Sequence, residues 1–145
     1  MKRFTTWTLA LAFVFGLIVS GCTTAPPKEM TAEEMVAEAK QSVCEITVAE
    51  AKELLDKGGD LFIDCREPKE YKMGHVPGAI NIPRGLLEFK IAEKVPDKAE
   101  NMVVYCKSGG RACLSACTLC RMGYKNAKNM AGGWAAWEKA GYPIE

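Results

Sequence analysis

Met102-Val103-Val104-Tyr105 runs without a polar interruption straight into Cys106-Lys107-Ser108-Gly109-Gly110-Arg111. A strand that is apolar at every position must be covered on both faces, as in a parallel sheet held between two layers of helix. The rest of the chain agrees. Thr31-Ala32-Glu33-Glu34 reads as a capping box opening a helix through about Val43, with Met35, Val36, Ala39 and Val43 on one inward face. Ile46 begins a short strand, and Thr47 with Glu50 forms a second capping box. That helix carries Ala51, Leu54 and Leu55 inward and stops at Gly58-Gly59. Leu61-Phe62-Ile63, ending at Asp64, and Ala79-Ile80-Asn81-Ile82 read as strands. Arg111 to Met122 reads as a helix ended by Gly123, Ala127 to Met130 as a short strand, and Trp134 to Ala140 as the last helix. The fold class is therefore α/β, a central parallel sheet with helices on both faces, whose sites lie beyond the C-terminal ends of the strands. Cys106 and Asp64 both fall there.

A strand that breaks into a glycine-bearing loop and then a helix start turns backbone N–H groups into a ring. A cysteine at the mouth of such a ring has its thiolate favoured by the amides, by the helix N-terminus and by the cations Lys107 and Arg111. The thiolate is the nucleophilic form, so the pattern points to cysteine chemistry.

The loop from Cys106 to Arg111 has the form C-x4-R and resembles the active loop of the rhodanese sulfurtransferases. Ile63-Asp64-Cys65-Arg66-Glu67-Pro68, Glu70-Tyr71 and Gly74-His75-Val76-Pro77-Gly78-Ala79-Ile80-Asn81-Ile82-Pro83 resemble that family's D-x-R-E and G-H-I-P-G-A-x-N-I-P signatures. Gly132-Gly133 with Trp137 resembles its closing G-G-x-x-x-W. The resemblance runs from about Ile46 to Ile144. It implies that Cys106 takes a sulfane sulfur from a small anionic donor such as thiosulfate, becomes a persulfide and passes the sulfur to a thiophilic acceptor, cyanide or a thiol. It also implies donor-binding or loop-stabilising roles for Lys107, Ser108, Gly109, Gly110 and Arg111, and support of the loop by Asp64 and Arg66. No metal or organic cofactor is called for. Cysteine phosphatases, including rhodanese-fold relatives, use C-x5-R, a wider loop that wraps a tetrahedral phosphate; this loop is one residue shorter. His75, the one histidine, reads as a turn residue bonded to backbone rather than as a general base.

Two alternatives stay open: a carrier that holds persulfide without efficient turnover, and a thiol redox protein using Cys106 with Cys65 or Cys113. Cys65 stands where the family usually has a small aliphatic residue, and reads as an isostere of valine or as a thiol that resolves Cys106. Cys113, Cys117 and Cys120 share one helix face. Packing is the main reading for them, with a redox or metal role as the sharper alternative; successive helical turns suit poorly the tetrahedral wrap of a structural metal.

Lys2 and Arg3, the apolar stretch Trp7 to Val19 and the closing Val19-Ser20-Gly21-Cys22 resemble a bacterial lipoprotein signal. That resemblance implies a signal peptide over residues 1–21, a lipidated Cys22 with linker over 22–30, and a rhodanese domain with an N-terminal helix extension over 31–145. The protein is then exported and lipid-anchored to the cell envelope with its domain in the periplasm. Several acyl chains, at about 0.8 kcal/mol per buried CH₂, suffice for stable anchoring. The chain carries 19 basic and 18 acidic side chains with no basic stripe, which argues against nucleic acid as a partner. A monomer is expected. Six cysteines remain besides Cys22, yet an apolar content of 48% supports a core without disulfides, so free thiols are expected.

Overall fold

The computed structural model describes residues 29–145. The expected signal segment, Cys22 and most of the linker lie outside the described residues. In chain order the elements are α1 (Ala32–Lys40), β1 (Cys44–Ile46), α2 (Val48–Lys57), β2 (Leu61–Asp64), α3 (Pro68–Lys72) and β3 (Ile80–Asn81). A 3-10 turn (Arg84–Leu86) then runs into α4 (Leu87–Lys94), followed by β4 (Met102–Tyr105), α5 (Gly110–Arg121), β5 (Ala127–Met130) and α6 (Gly133–Lys139).

The strands form one parallel sheet in the order β1-β5-β4-β2-β3. β4 lies at its centre, which is why all four of its residues are buried. The two-residue alternation of a strand divides them. Val103 and Tyr105 join Phe62 in packing against Ala51 of α2 and Trp134 and Trp137 of α6. Met102, Val104 and Cys106 join Ile63 and Cys65 on the other face, under Leu87 and Ile91 of α4 and Ala112, Ala116 and Leu119 of α5. Each of the larger aliphatic side chains removed completely from water contributes about 2 kcal/mol.

Both expected capping boxes are present. Glu34 N donates to Thr31 Oγ1 at 3.2 Å and Thr31 N to Glu34 at 2.9 Å; Thr47 and Glu50 repeat the arrangement at 3.2 and 2.7 Å. Other expectations need correction. α1 ends at Lys40, not near Val43, because the chain must leave the helix to bring Cys44 into register with Lys128. Val43 is still buried, but Met35 is 49% exposed: α1 rests mainly on α5, so a narrow strip containing Val36 and Ala39 turns inward. Ile46 closes β1 rather than beginning it. α3 and α4 were not anticipated. Pro68 opens α3 at its first turn, behind Glu67; α4 starts from Leu86 with no side-chain cap.

Candidate active site

Cys106 is the first residue beyond β4, and α6 fixes how the chain leaves it. Trp134 N donates to the Cys106 carbonyl at 2.7 Å, and Ala135 N to the Lys107 carbonyl at 2.9 Å. In a trans peptide the N–H points opposite the C=O, so pulling these two oxygens outward turns the Lys107 and Ser108 amides inward. Gly109 N completes the ring, donating to Cys106 Sγ at 3.2 Å. Gly109 has φ +100° and Gly133 φ +56°. A Cβ at Gly133 would collide with the Cys106 carbonyl oxygen, so only glycine lets α6 come this close. Gly110 then starts α5, and Cys113 N bonds back to the Gly109 carbonyl at 2.8 Å.

The strongest influence on the Cys106 thiol is the neighbouring Cys65 thiol, which draws it down. Burial opposes ionisation, while the Ala112, Ser108 and Gly109 amides favour it. The balance sets Cys106 well below the usual cysteine range. Cys65 moves the opposite way, pushed up by its bond to Cys106, then by burial and by the Cys106 charge. The two thiols are thus driven apart, and the Ala112, Ser108 and Gly109 amides favour the anion on Cys106. The rate of Cys106 alkylation by iodoacetamide should therefore reach half its plateau below about pH 7, whereas an ordinary cysteine does so near about 8.5. A midpoint at the ordinary value would refute this.

The sequence assigned stabilisation of the thiolate partly to Lys107 and Arg111. Arg111 interacts with the Cys106 charge and also faces Glu70, both nitrogens at 3.4 Å from its carboxylate, at the rim of the site. Lys107 is exposed and makes no ion pair among the described residues. It lines a hollow of about 260 Å³ with Arg66, Glu70 and Trp134.

Asp64 and Arg66 do not touch the sulfur. They are 0% and 3% exposed and pair through Arg66 Nη2 to Asp64 Oδ2 at 2.6 Å and Nε to both oxygens. Arg66 also donates to the Gly74 carbonyl at 2.7 Å, and its guanidinium lies 4.5 Å from the Trp134 ring. Trp134 is the residue whose amide holds the Cys106 carbonyl, so the pair braces the cradle through that ring. His75 bonds through Nδ1 to the Tyr71 carbonyl at 3.0 Å and stacks on the Tyr71 ring, as a turn residue does.

Two of the helix cysteines turn their sulfurs toward α1. Cys113 Sγ faces the Val36 carbonyl at 3.9 Å and Cys117 Sγ faces Ser42 Oγ at 3.7 Å, so both fill the seam between α1 and α5. The six cysteines of the described residues are all free thiols. Sequence reasoning gave no role to Glu70, Trp134 or Gly133 in shaping the site. The Gly-Gly pair carried a signal for the close approach; Glu70 lies 41 residues from Arg111 and carried none.

A five-stranded parallel sheet with a cysteine held in an amide cradle at the end of its central strand defines the rhodanese-like class. The family model for the rhodanese-like domain matches residues 47–140, and the chain belongs to this family of rhodanese-type sulfurtransferases. Among its relatives is thiosulfate sulfurtransferase 16, chloroplastic, of Arabidopsis thaliana, 32% identical over 120 residues that cover 76% of this chain and 99% of that one. Another is thiosulfate sulfurtransferase PspE of Escherichia coli, 41% identical over 71 residues, 49% of this chain and 68% of the relative. A solved structure from Rhodopseudomonas palustris, described as a protein of unknown function and possible tyrosine phosphatase, matches with a TM-score of 0.72 at 34% identity. It covers 83% of this chain and 99% of that one.

Proposed function

We propose that the protein transfers sulfane sulfur through a persulfide on Cys106, with thiosulfate as a competent donor. The Cys106 thiolate attacks the outer sulfur of the donor, the S–S bond breaks and sulfite leaves with its electron pair. The persulfide anion then occupies the cradle until cyanide or a thiol removes the outer sulfur. The observation that carries this reading is the amide ring converging on Cys106 Sγ itself, with Gly109 N at 3.2 Å. Donors aimed at a single sulfur stabilise a persulfide without reorganisation. A phosphatase would need them aimed beyond the sulfur, at three equatorial oxygens. Thiosulfate and cyanide should therefore give sulfite and thiocyanate in equal amounts with ping-pong kinetics. Absence of thiocyanate, or intersecting rather than parallel lines in the double-reciprocal plots, would overturn the reading.

Donor binding falls to Lys107 and Arg111, with Ser108, Gly109 and Gly110 supplying the backbone of the cradle. Arg111→Ala should raise the KM for thiosulfate about tenfold with kcat little changed, because a charge-assisted contact to the bound donor is lost. Unchanged kinetics would remove Arg111 from the site.

Cys22 is the lipid attachment point in this reading, after cleavage at Gly21, and holds the domain in the periplasm. The opening Lys2-Arg3, the apolar stretch and the Cys22 box support it. Fatty-acid labelling that is lost in Cys22→Ala, with release of that variant from membranes, is the expected result; equal labelling would sink it.

A further inference from the structure

Cys65 and Cys106 are neighbours by register. β2 and β4 pair in parallel with Asp64 opposite Tyr105, and the next residue on each strand is a cysteine. Cys65 N donates to the Tyr105 carbonyl at 2.9 Å, so the ladder continues up to this pair. Both side chains leave the sheet on the same face, together with Ile63 and Val104, and are 0% and 1% exposed. Paired strands lie about 4.8 Å apart, inside the range of roughly 4.4–6.8 Å between Cα atoms that a disulfide spans. Three other cysteines are held elsewhere: Cys113 and Cys117 under α1, Cys44 on the exposed edge strand β1. A valine or alanine would fill the Cys65 position equally well as packing, but would leave the sulfur of Cys106 with no thiol beside it.

The geometry points to Cys65 as the resolving thiol of the Cys106 persulfide: it attacks Cys106 Sγ, expels the outer sulfur as hydrosulfide and closes a Cys65–Cys106 disulfide. This rests on the sulfurtransferase reading above. The step balances internally. One S–S bond breaks and one forms; the outer sulfur leaves with the bonding pair and takes the Cys65 proton. The two cysteine sulfurs are oxidised to the disulfide as the sulfane sulfur is reduced to hydrosulfide. Loading supplies the trigger. Before it, the anion rests on Cys106 Sγ against Cys65 and keeps the Cys65 proton in place; after it, the charge sits one atom farther out in the amide cradle. The proton is then free to follow the charge to the outer sulfur. An external dithiol returns the pair to thiols. The chain then has a second outcome besides transfer to an acceptor: reductive release of the donor's sulfane sulfur as hydrosulfide.

The test is a single-turnover reaction of the purified, fully reduced chain with thiosulfate, without cyanide or added thiol, beside Cys65→Ser and Cys65→Val. Wild type should release about one hydrosulfide per chain, and peptide mapping without reduction should show Cys65 joined to Cys106. Both variants should release none and hold one added sulfur atom on Cys106, removable by cyanide. A wild-type chain that keeps its persulfide, releases as much hydrosulfide as the variants, or joins Cys106 to another cysteine overturns the inference and leaves the sulfurtransferase reading intact. Failure of the variants to gain sulfur, together with absence of thiocyanate in wild-type turnover, overturns the sulfurtransferase reading and this one with it. Two substitutions guard against a buried serine that unfolds the domain, and the wild-type peptide map stands without either.

Discussion

Cys106→Ser is expected to lower kcat/KM for sulfur transfer from thiosulfate to cyanide by at least about a thousandfold, a loss of about 4 kcal/mol in transition-state stabilisation. The hydroxyl fits the same buried site and accepts the same amides, so folding and donor binding survive. What disappears is the soft anion. A serine hydroxyl keeps its proton at neutral pH, and the site offers no histidine to take it: His75 is engaged with Tyr71. The loss should appear in kcat with KM little changed, measured as initial rates of thiocyanate formation. Activity within tenfold of wild type would mean that another cysteine carries the sulfur.

Asp64→Asn should cost about 3 kcal/mol of folding stability, because it leaves the Arg66 guanidinium buried without its counter-charge. Asp64 accepts from the Arg66 amide at 2.9 Å as well as from the guanidinium, so one carboxylate fixes both ends of that residue. The denaturant midpoint gives the answer, with the slope of the transition unchanged. Asp64→Asn combined with Arg66→Met should recover part of the loss, since the stranded charge is then gone. If the single variant is as stable as wild type, the pair is not what braces this end of the sheet.

How much of this was legible in the sequence depended on whether the determining contacts were local. β4 and β5 fell on the expected residues because each is a short segment bounded by turn residues, apolar throughout in β4 and with apolar ends in β5. The starts of α1 and α2 were equally plain, since a capping box is a four-residue signal. α4 escaped because its inward residues Leu87 and Ile91 are set among charges, no side chain caps it, and Phe89 points outward at 81% exposure. The exposure of Met35 followed from which neighbour α1 meets, and a helical stripe does not carry that information. At the site, the cradle cysteine and its glycines were readable from the strand–loop–helix pattern. Cys65 as a thiol serving Cys106 was one of two readings open in the sequence; its place beside Cys106 comes from strand register between segments 41 residues apart, which no local signal carries. Arg111 feels the Cys106 charge, as charge near in sequence suggested, but its pairing with Glu70 joins residues far apart in the chain and had no local signal.

The bonds from Trp134 and Ala135 to the Cys106 and Lys107 carbonyls have a consequence for control. A peptide flip at either position would swing an oxygen into the cradle and repel the sulfur, which is how a loop of this kind could be silenced by motion. Here each flip must break a bond to α6, beside a glycine that leaves no slack. At these two peptides the cradle is therefore of fixed polarity, an electrode of one sign. Restraint of the protein then falls more readily to the supply of donor or to the oxidation state of its sulfurs than to movement there.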